Sequence, residues 1–382
     1  MITNISRPRF ATTTAIALGA AFLFTSKTLY SQSTKPAADP LARAAQLEAI
    51  GDFPGAARAL EAWLLQKPGD GSARIRAGLL WSRGDYYEPA EKLLSKAVEL
   101  DTKDREAWLA LGEARLRGQK YHSGIVAFEK AASLGDSDGR AANGKGLCYY
   151  YLGDIAAAKP LLLQAAKTNS NLIGPRHTIG RIALDEGDLD GAIRYFRECL
   201  TLDSRDADSY FYLGLALRQK ASFEDAIVAF RAAIAADPLH TGARLNLGQV
   251  LILLKREDEG RAEIEAHGKI VRGKQQLTFA MNSLRLEPAS PRSRVRVGDA
   301  LLELGIAPEA LLQYREALRA KKPPASAFLG AAKACRALGE TNAQIQYAKK
   351  AVEAFEREPA ENAADLALAR ELLETPASKP VK

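Results

Sequence analysis

Residues 207–240 read ADSYFYLGLALRQKASFEDAIVAFRAAIAADPLH. In the first half Tyr210, Leu213, Gly214 and Leu217 recur at three- and four-residue intervals, and in the second half Phe223, Ala226, Phe230 and Ala233 do the same. Each half therefore predicts a helix with one apolar stripe. Gly214 and Ala226 place small residues where the two helices approach, and Pro238 closes the unit. The pattern returns at multiples of 34 residues. In 105–138 it appears as Trp108, Leu111, Gly112, Tyr121, Gly124, Phe128 and Ala131, and in 173–206 as Ile179, Gly180, Ala183, Leu189, Ala192, Phe196 and Cys199. A single pair of this kind cannot bury its own apolar face, so its stability comes from stacking on its neighbours.

The spacing resembles the tetratricopeptide repeat, whose signature runs W-x2-L-G-x2-Y, then A-x3-F, then P. In register, units fall near 37–70, 71–104, 105–138, 139–172, 173–206, 207–240, 241–274, 291–324 and 325–358. The resemblance, to a bacterial-type exported member of the family, implies an all-α fold: a right-handed solenoid of stacked antiparallel helix pairs. The domain reading is a signal peptide or membrane anchor over 1–31, a flexible linker over 32–40 and units one to seven over 41–274. An extended helix and loop spacer follow over 275–290, then units eight and nine over 291–358, a capping helix over 359–374 and a disordered tail over 375–382.

Within this register Gly112, Gly146, Gly180, Gly214, Gly248 and Gly298 share one place, where a missing side chain lets the second helix approach the first. Phe128, Phe196, Phe230 and Tyr314 are expected to fill the space between successive units. The turns Gly84-Asp85-Tyr86, Gly153-Asp154-Ile155 and Gly187-Asp188-Leu189 predict a left-handed glycine ending one helix and an aspartate capping the next. Pro54 and Pro308 suit the start of a second helix, and Pro160 lies deeper, where a kink is expected.

The first 31 residues contain Arg7, Arg9 and Lys27 and no acid, and Ala11 to Phe24 form an apolar run. A basic start, a short apolar stretch and a polar exit read as an export signal with cleavage after Ser31. The expected location is periplasmic or extracellular. The alternative is an inner-membrane anchor over residues 10–25. The formal charge of +7 is not spread evenly, since residues 1–31 hold three basic groups and no acid and the rest carry 50 basic groups against 46 acidic. That balance argues against nucleic-acid binding, which wants a concentrated basic face.

No G-x-S-x-G elbow, Walker loop, H-E-x-x-H pair or C-x-x-C is present, so no catalytic residue, cofactor or metal ligand is assigned and the chain is read as non-enzymatic. Cys148, Cys199 and Cys335 fall in different units at core-facing places, and His122, His177, His240 and His267 are scattered. The resemblance implies that the first helices line a concave groove. Position by position, that places Arg140, Asn143, Tyr150, His177, Arg181, Phe211, Tyr212, Arg218, Asn246 and Gln249 on the lining. Amides can pair with a peptide backbone, and Arg181 or Arg218 can fork to a carboxylate. The expected function is a protein–protein interaction scaffold that holds a peptide or protein partner in that groove, as a monomer or within a larger complex. The alternative is an accessory assembly subunit of a cell-envelope export or secretion machine.

Overall fold

The computed structural model describes residues 39–49, 51–357 and 363–375. The chain divides into Met1–Asp39 and Pro40–Lys382, and the second unit is described here. The signal or anchor over 1–31, the linker up to residue 38 and the tail from residue 376 lie outside the described residues.

Among the described residues there are 19 helices and no strands. Seven regular pairs come first: α1 (Pro40–Ala49) with α2 (Phe53–Gln66), α3 (Gly71–Arg83) with α4 (Tyr87–Leu100), α5 (Arg105–Arg117) with α6 (Tyr121–Ser133), α7 (Arg140–Leu152) with α8 (Ile155–Thr168), α9 (Ile173–Asp185) with α10 (Leu189–Leu202), α11 (Ala207–Gln219) with α12 (Phe223–Ala236), and α13 (Thr241–Leu253) with the longer α14 (Glu257–Leu286). Then come α15 (Pro291–Glu303) with α16 (Ala307–Ala317), α17 (Ala325–Ala337) with α18 (Thr341–Arg357), and α19 (Ala363–Glu374). Each helix packs on the next in sequence, which makes an all-α solenoid of helix pairs.

One contact closes each hairpin. A Cβ on Gly112 would lie 2.7 Å from the Phe128 ring, on Gly180 2.9 Å from Phe196, on Gly214 2.6 Å from Phe230 and on Gly298 2.7 Å from Tyr314. Gly146 stands in the same relation to Leu162 at 2.9 Å. The large side chain of the second helix thus rests on bare backbone of its own first helix. The rings also reach forward: Phe128 abuts Gly144, and Tyr314 abuts Gly330. They close the hairpin as well as filling the gap to the next unit, and they are essentially dry.

The helix starts recur with the repeat. The carboxylates of Asp70 and Asp104 accept from the amides of Ala73 and Ala107, and Asp154 and Asp188 accept from Ala157 and Gly191. Gly153 and Gly187 adopt positive φ as expected, at 82° and 80°. Gly84 does not. Its φ is −84° and Asp85 takes the left-handed place instead, at 64°, so Asp85 is not the cap of α4. Gln119, Ala221 and Lys255 do the same in their turns. The reversal falls at one place of the repeat, residues 85, 119, 153, 187, 221 and 255, and glycine fills that place only at 153 and 187. Pro160 lies inside α8, which continues through it to Thr168.

α3 touches α5, α5 touches α7, and the series continues through α9 and α11 to α13, whereas no two even-numbered helices touch among the described residues. The first helices therefore form the closer-packed side of the stack. That side breaks after α13, because α13 and α15 do not meet and α14 stands between them. At 30 residues α14 is about 45 Å long, and its second half supplies the wall on which the stack restarts. Leu277 and Ala280 pack there on Val297 and Ala300, and the Leu304 side chain seats against Gly273. At the far end Gln344, fully buried, donates to the carbonyls of Leu372 (2.7 Å) and Thr375 (3.0 Å) and pins α19 over the last pair. Cys148, Cys199 and Cys335 are buried and unbridged. Burial pushes the thiols up, to about 12 for Cys148 and Cys335 and to about 11 for Cys199. No helix among the described residues is long and apolar enough to cross a membrane.

Candidate partner-binding face

The first-helix side from α7 to α13 carries all ten residues singled out in the sequence. Arg140, Asn143 and Tyr150 lie on α7, His177 and Arg181 on α9, Phe211, Tyr212 and Arg218 on α11, and Asn246 and Gln249 on α13. Because successive first helices touch, equivalent positions of adjacent units become neighbours.

Five of the ten form one cluster. The Arg181 guanidinium carbon sits 5.1 Å from the ring centroid of Tyr150 and 5.1 Å from that of Tyr212, so one cation bridges rings from the preceding and following units. Tyr212 continues edge-on to His177 (5.2 Å) and to Phe211 (5.2 Å), and stacks on Phe196 at 5.6 Å. Burial pushes the Tyr150 and Tyr212 phenols up, against the pull of the Arg181 charge. Burial likewise pushes the His177 imidazole down, so it is neutral at pH 7. Its Nε2 is buried without a hydrogen-bond partner.

A second group surrounds Arg218. Its guanidinium donates to Asn246 Oδ1 and, at 3.2 Å, to Gln249 Oε1. Asn246 Nδ2 in turn donates to the Gly242 carbonyl at 2.8 Å. The Asn246 amide is therefore engaged at both ends, and its work is to hold Arg218 in place with neutral oxygens.

The remaining two stand apart. Arg140 is locked by Asp138 (2.7 Å) and Glu106, with Arg105 joining the same carboxylates, which makes it a brace between α5 and α7. Asn143 lies beside Gly174, and its Oδ1 is buried without a partner.

Two participants, Tyr121 and His240, escape a reading by first-helix position. Tyr121, at the start of a second helix, stacks on Tyr151 at 5.5 Å, and Tyr151 leans edge-on to Tyr150 at 5.4 Å. This extends the aromatic run towards α6. His240, far from isolated, caps α13: its Nδ1 accepts from the Ala243 amide at 2.9 Å while Nε2 faces Asp208 Oδ1 at 3.3 Å. The hydrogen bond from His240 is the main cause that holds the Asp208 carboxyl below its usual value. The available signal was register, because His240 occupies the place that Asp70 and Asp104 fill as caps five and four units earlier.

Stacked helix pairs that repeat along the chain, with an aromatic and guanidinium-bearing face on their first helices, define a helical-repeat solenoid. The sequence profile of the tetratricopeptide repeat matches residues 109–172, 177–230 and 219–267, so these segments are tetratricopeptide repeats. Repeats of this family are generally non-enzymatic interaction modules, and no catalytic family is indicated. Among curated proteins, BBSome complex member BBS4 of Xenopus tropicalis is 30% identical over 89 residues, which is 23% of this chain and 17% of that protein. The peroxisomal targeting signal receptor of Komagataella phaffii (strain GS115 / ATCC 20864) is 29% identical over 167 residues, 42% of this chain and 29% of the receptor. The chain thus spans less than a third of the length of either relative. Among solved structures, YrrB, a TPR protein with an unusual peptide-binding site, is 27% identical with a TM-score of 0.36, covering 49% of this chain and 96% of its own. A thermophilic TPR protein of Thermus thermophilus, TTC0263, is 21% identical with a TM-score of 0.42, covering 47% of this chain and 97% of its own.

Proposed function

We propose that the first-helix face from α7 to α13 captures an extended, acidic segment of a partner protein. One observation carries this reading: Arg181 and Arg218 both lie on that face, and neither makes an ion pair among the described residues. Arg181 sits over two ring faces, which offer a cation less than a carboxylate does. Arg218 is positioned by two neutral amide oxygens and keeps its full charge. Side chains that are already ordered lose little further entropy on binding, so the pair is prepared for an incoming carboxylate. The tyrosine run from Tyr121 to Tyr212 supplies flat apolar area for the rest of the segment, where aromatic or proline side chains pack well.

The test is selection from a displayed library of random peptides on the full chain. Enrichment of sequences with a fixed Asp or Glu beside an aromatic or proline is expected, together with loss of that enrichment on the Arg181→Ala, Arg218→Ala double variant at unchanged helical circular dichroism. Selection without an acidic consensus, or an identical consensus on the double variant, overturns the proposal. We also read residues 1–31 as an export signal, from its charge and apolar pattern alone, so that the partner is met outside the cytoplasm. Sequencing of the mature amino terminus is then expected to begin at Gln32, and recovery of intact Met1 from the envelope fraction contradicts cleavage.

A further inference from the structure

The 30-residue α14 does more than restart the stack. Its buried side carries Gly273, Leu277 and Ala280, and the opposite side has no neighbour among the described residues. On that side Arg272, Phe279 and Leu286 follow one another at seven-residue spacing, which keeps them within one stripe of a helix. Phe279 is 70% exposed and Leu286 84% exposed. The uncharged Gln275, Gln276 and Asn282 lie between them. The hydroxyls nearby are engaged by the helix's own backbone: Thr278 donates to the Lys274 carbonyl at 2.9 Å and Ser283 to that of Phe279 at 3.1 Å.

The charge of this region is one-sided. Residues 266–298 hold seven lysines and arginines and a single acid, Glu287, in a chain whose totals are 53 and 46. Arg272, Arg285, Arg292 and Arg296 are exposed and make no ion pair among the described residues. From this combination we infer that the outer face of α14, with the start of α15, docks on an anionic phospholipid surface. Phe279 and Leu286 enter the interfacial layer, and the four arginines meet the headgroup phosphates.

The two apolar side chains project singly from the convex surface of a helix. A fluid lipid interface closes around such projections, whereas a protein partner must supply a matching hollow for each. A nucleic acid offers phosphates for the arginines but nothing for Leu286. The arrangement is peripheral, since the outer face of α14 is too polar to be buried more deeply.

The test uses the full chain and two vesicle preparations, phosphatidylcholine alone and a two-to-one mixture with phosphatidylglycerol. Residues 1–31 include an apolar run of their own, so the reporter must sit on α14. In the Phe279→Trp variant, compared with the wild type and its three native tryptophans, the added emission is expected to shift to the blue and to be quenched by brominated lipid, only with the mixed vesicles. Affinity for the mixed vesicles should fall about fivefold for each arginine neutralised in Arg272→Gln and Arg285→Gln, and about tenfold in the Phe279→Ser, Leu286→Ser double variant. All four residues are exposed, so these variants fold. An unquenched Trp at 279 overturns the inference, as does equal binding to both preparations. Arginine variants that abolish binding while the serine variant leaves it untouched also overturn it, because that is the behaviour of a surface for an acidic protein or nucleic acid.

Discussion

At Gly214 a hydrogen stands where a methyl group would press on the Phe230 ring from 2.6 Å. The ring is fully buried and has nowhere to retreat. Gly214→Ala is therefore expected to destabilise the protein by about 1–3 kcal/mol despite its better helix propensity, as read from the urea midpoint. Asp138 offers a prediction with a pH sign. Burial alone would raise its carboxyl, but hydrogen bonds from Arg105 and Arg140 hold it well below its ordinary value of 3.8. A group with a depressed folded pKa contributes stability above its unfolded pKa and loses it as the pH falls towards the folded one. Asp138→Asn should thus melt earlier than the wild type by a constant margin from pH 7 to about 5, and the margin should shrink below about pH 4. The glycine column was legible in the sequence because each glycine precedes its large partner by a fixed interval. The surroundings of Arg218 were not, because Asn246 and Gln249 approach it from the next unit and nothing local in the sequence marks an amide as an arginine holder rather than a peptide holder.

At the scale of the element, the turns show where a compositional rule is too coarse. Gly-Asp predicts a left-handed glycine, and Gly153 and Gly187 obey, but at Gly84 the reversal falls one residue later on Asp85. The same place of the repeat holds Ala221 at a φ of 59°, a conformation that costs an alanine about 1–2 kcal/mol. Ala221→Gly is expected to stabilise the protein by about 0.5–1 kcal/mol after the extra chain entropy of glycine is subtracted, and a raised thermal midpoint checks it. Helix length was easier to read than helix ends. The proline-free run after Glu257 and the prolines at 288 and 291 bracket α14, whose bounds are Glu257 and Leu286. What the run could not announce is that α14 separates α13 from α15, since that depends on which helices touch.

At the scale of the whole molecule, the repeat decides nearly everything about the fold, because one hairpin rule applied along the chain generates the stack. It decides less about the binding face. Register alone placed ten residues on the first-helix side; contacts between units then sorted them into an aromatic run around Arg181, an amide-held Arg218 and the structural brace at Arg140. The proposed role of the protein rests on the first two groups acting together on one acidic segment. The direct measurement is a double-mutant cycle by titration calorimetry with a selected peptide: Arg181→Gln in the protein against Glu→Gln at the fixed acidic position of the peptide, then the same cycle for Arg218. A coupling energy of about 1.5 kcal/mol or more at one of the two arginines is the predicted result, as for a charge-assisted hydrogen bond. Effects that add to within about 0.3 kcal/mol at both would contradict the account.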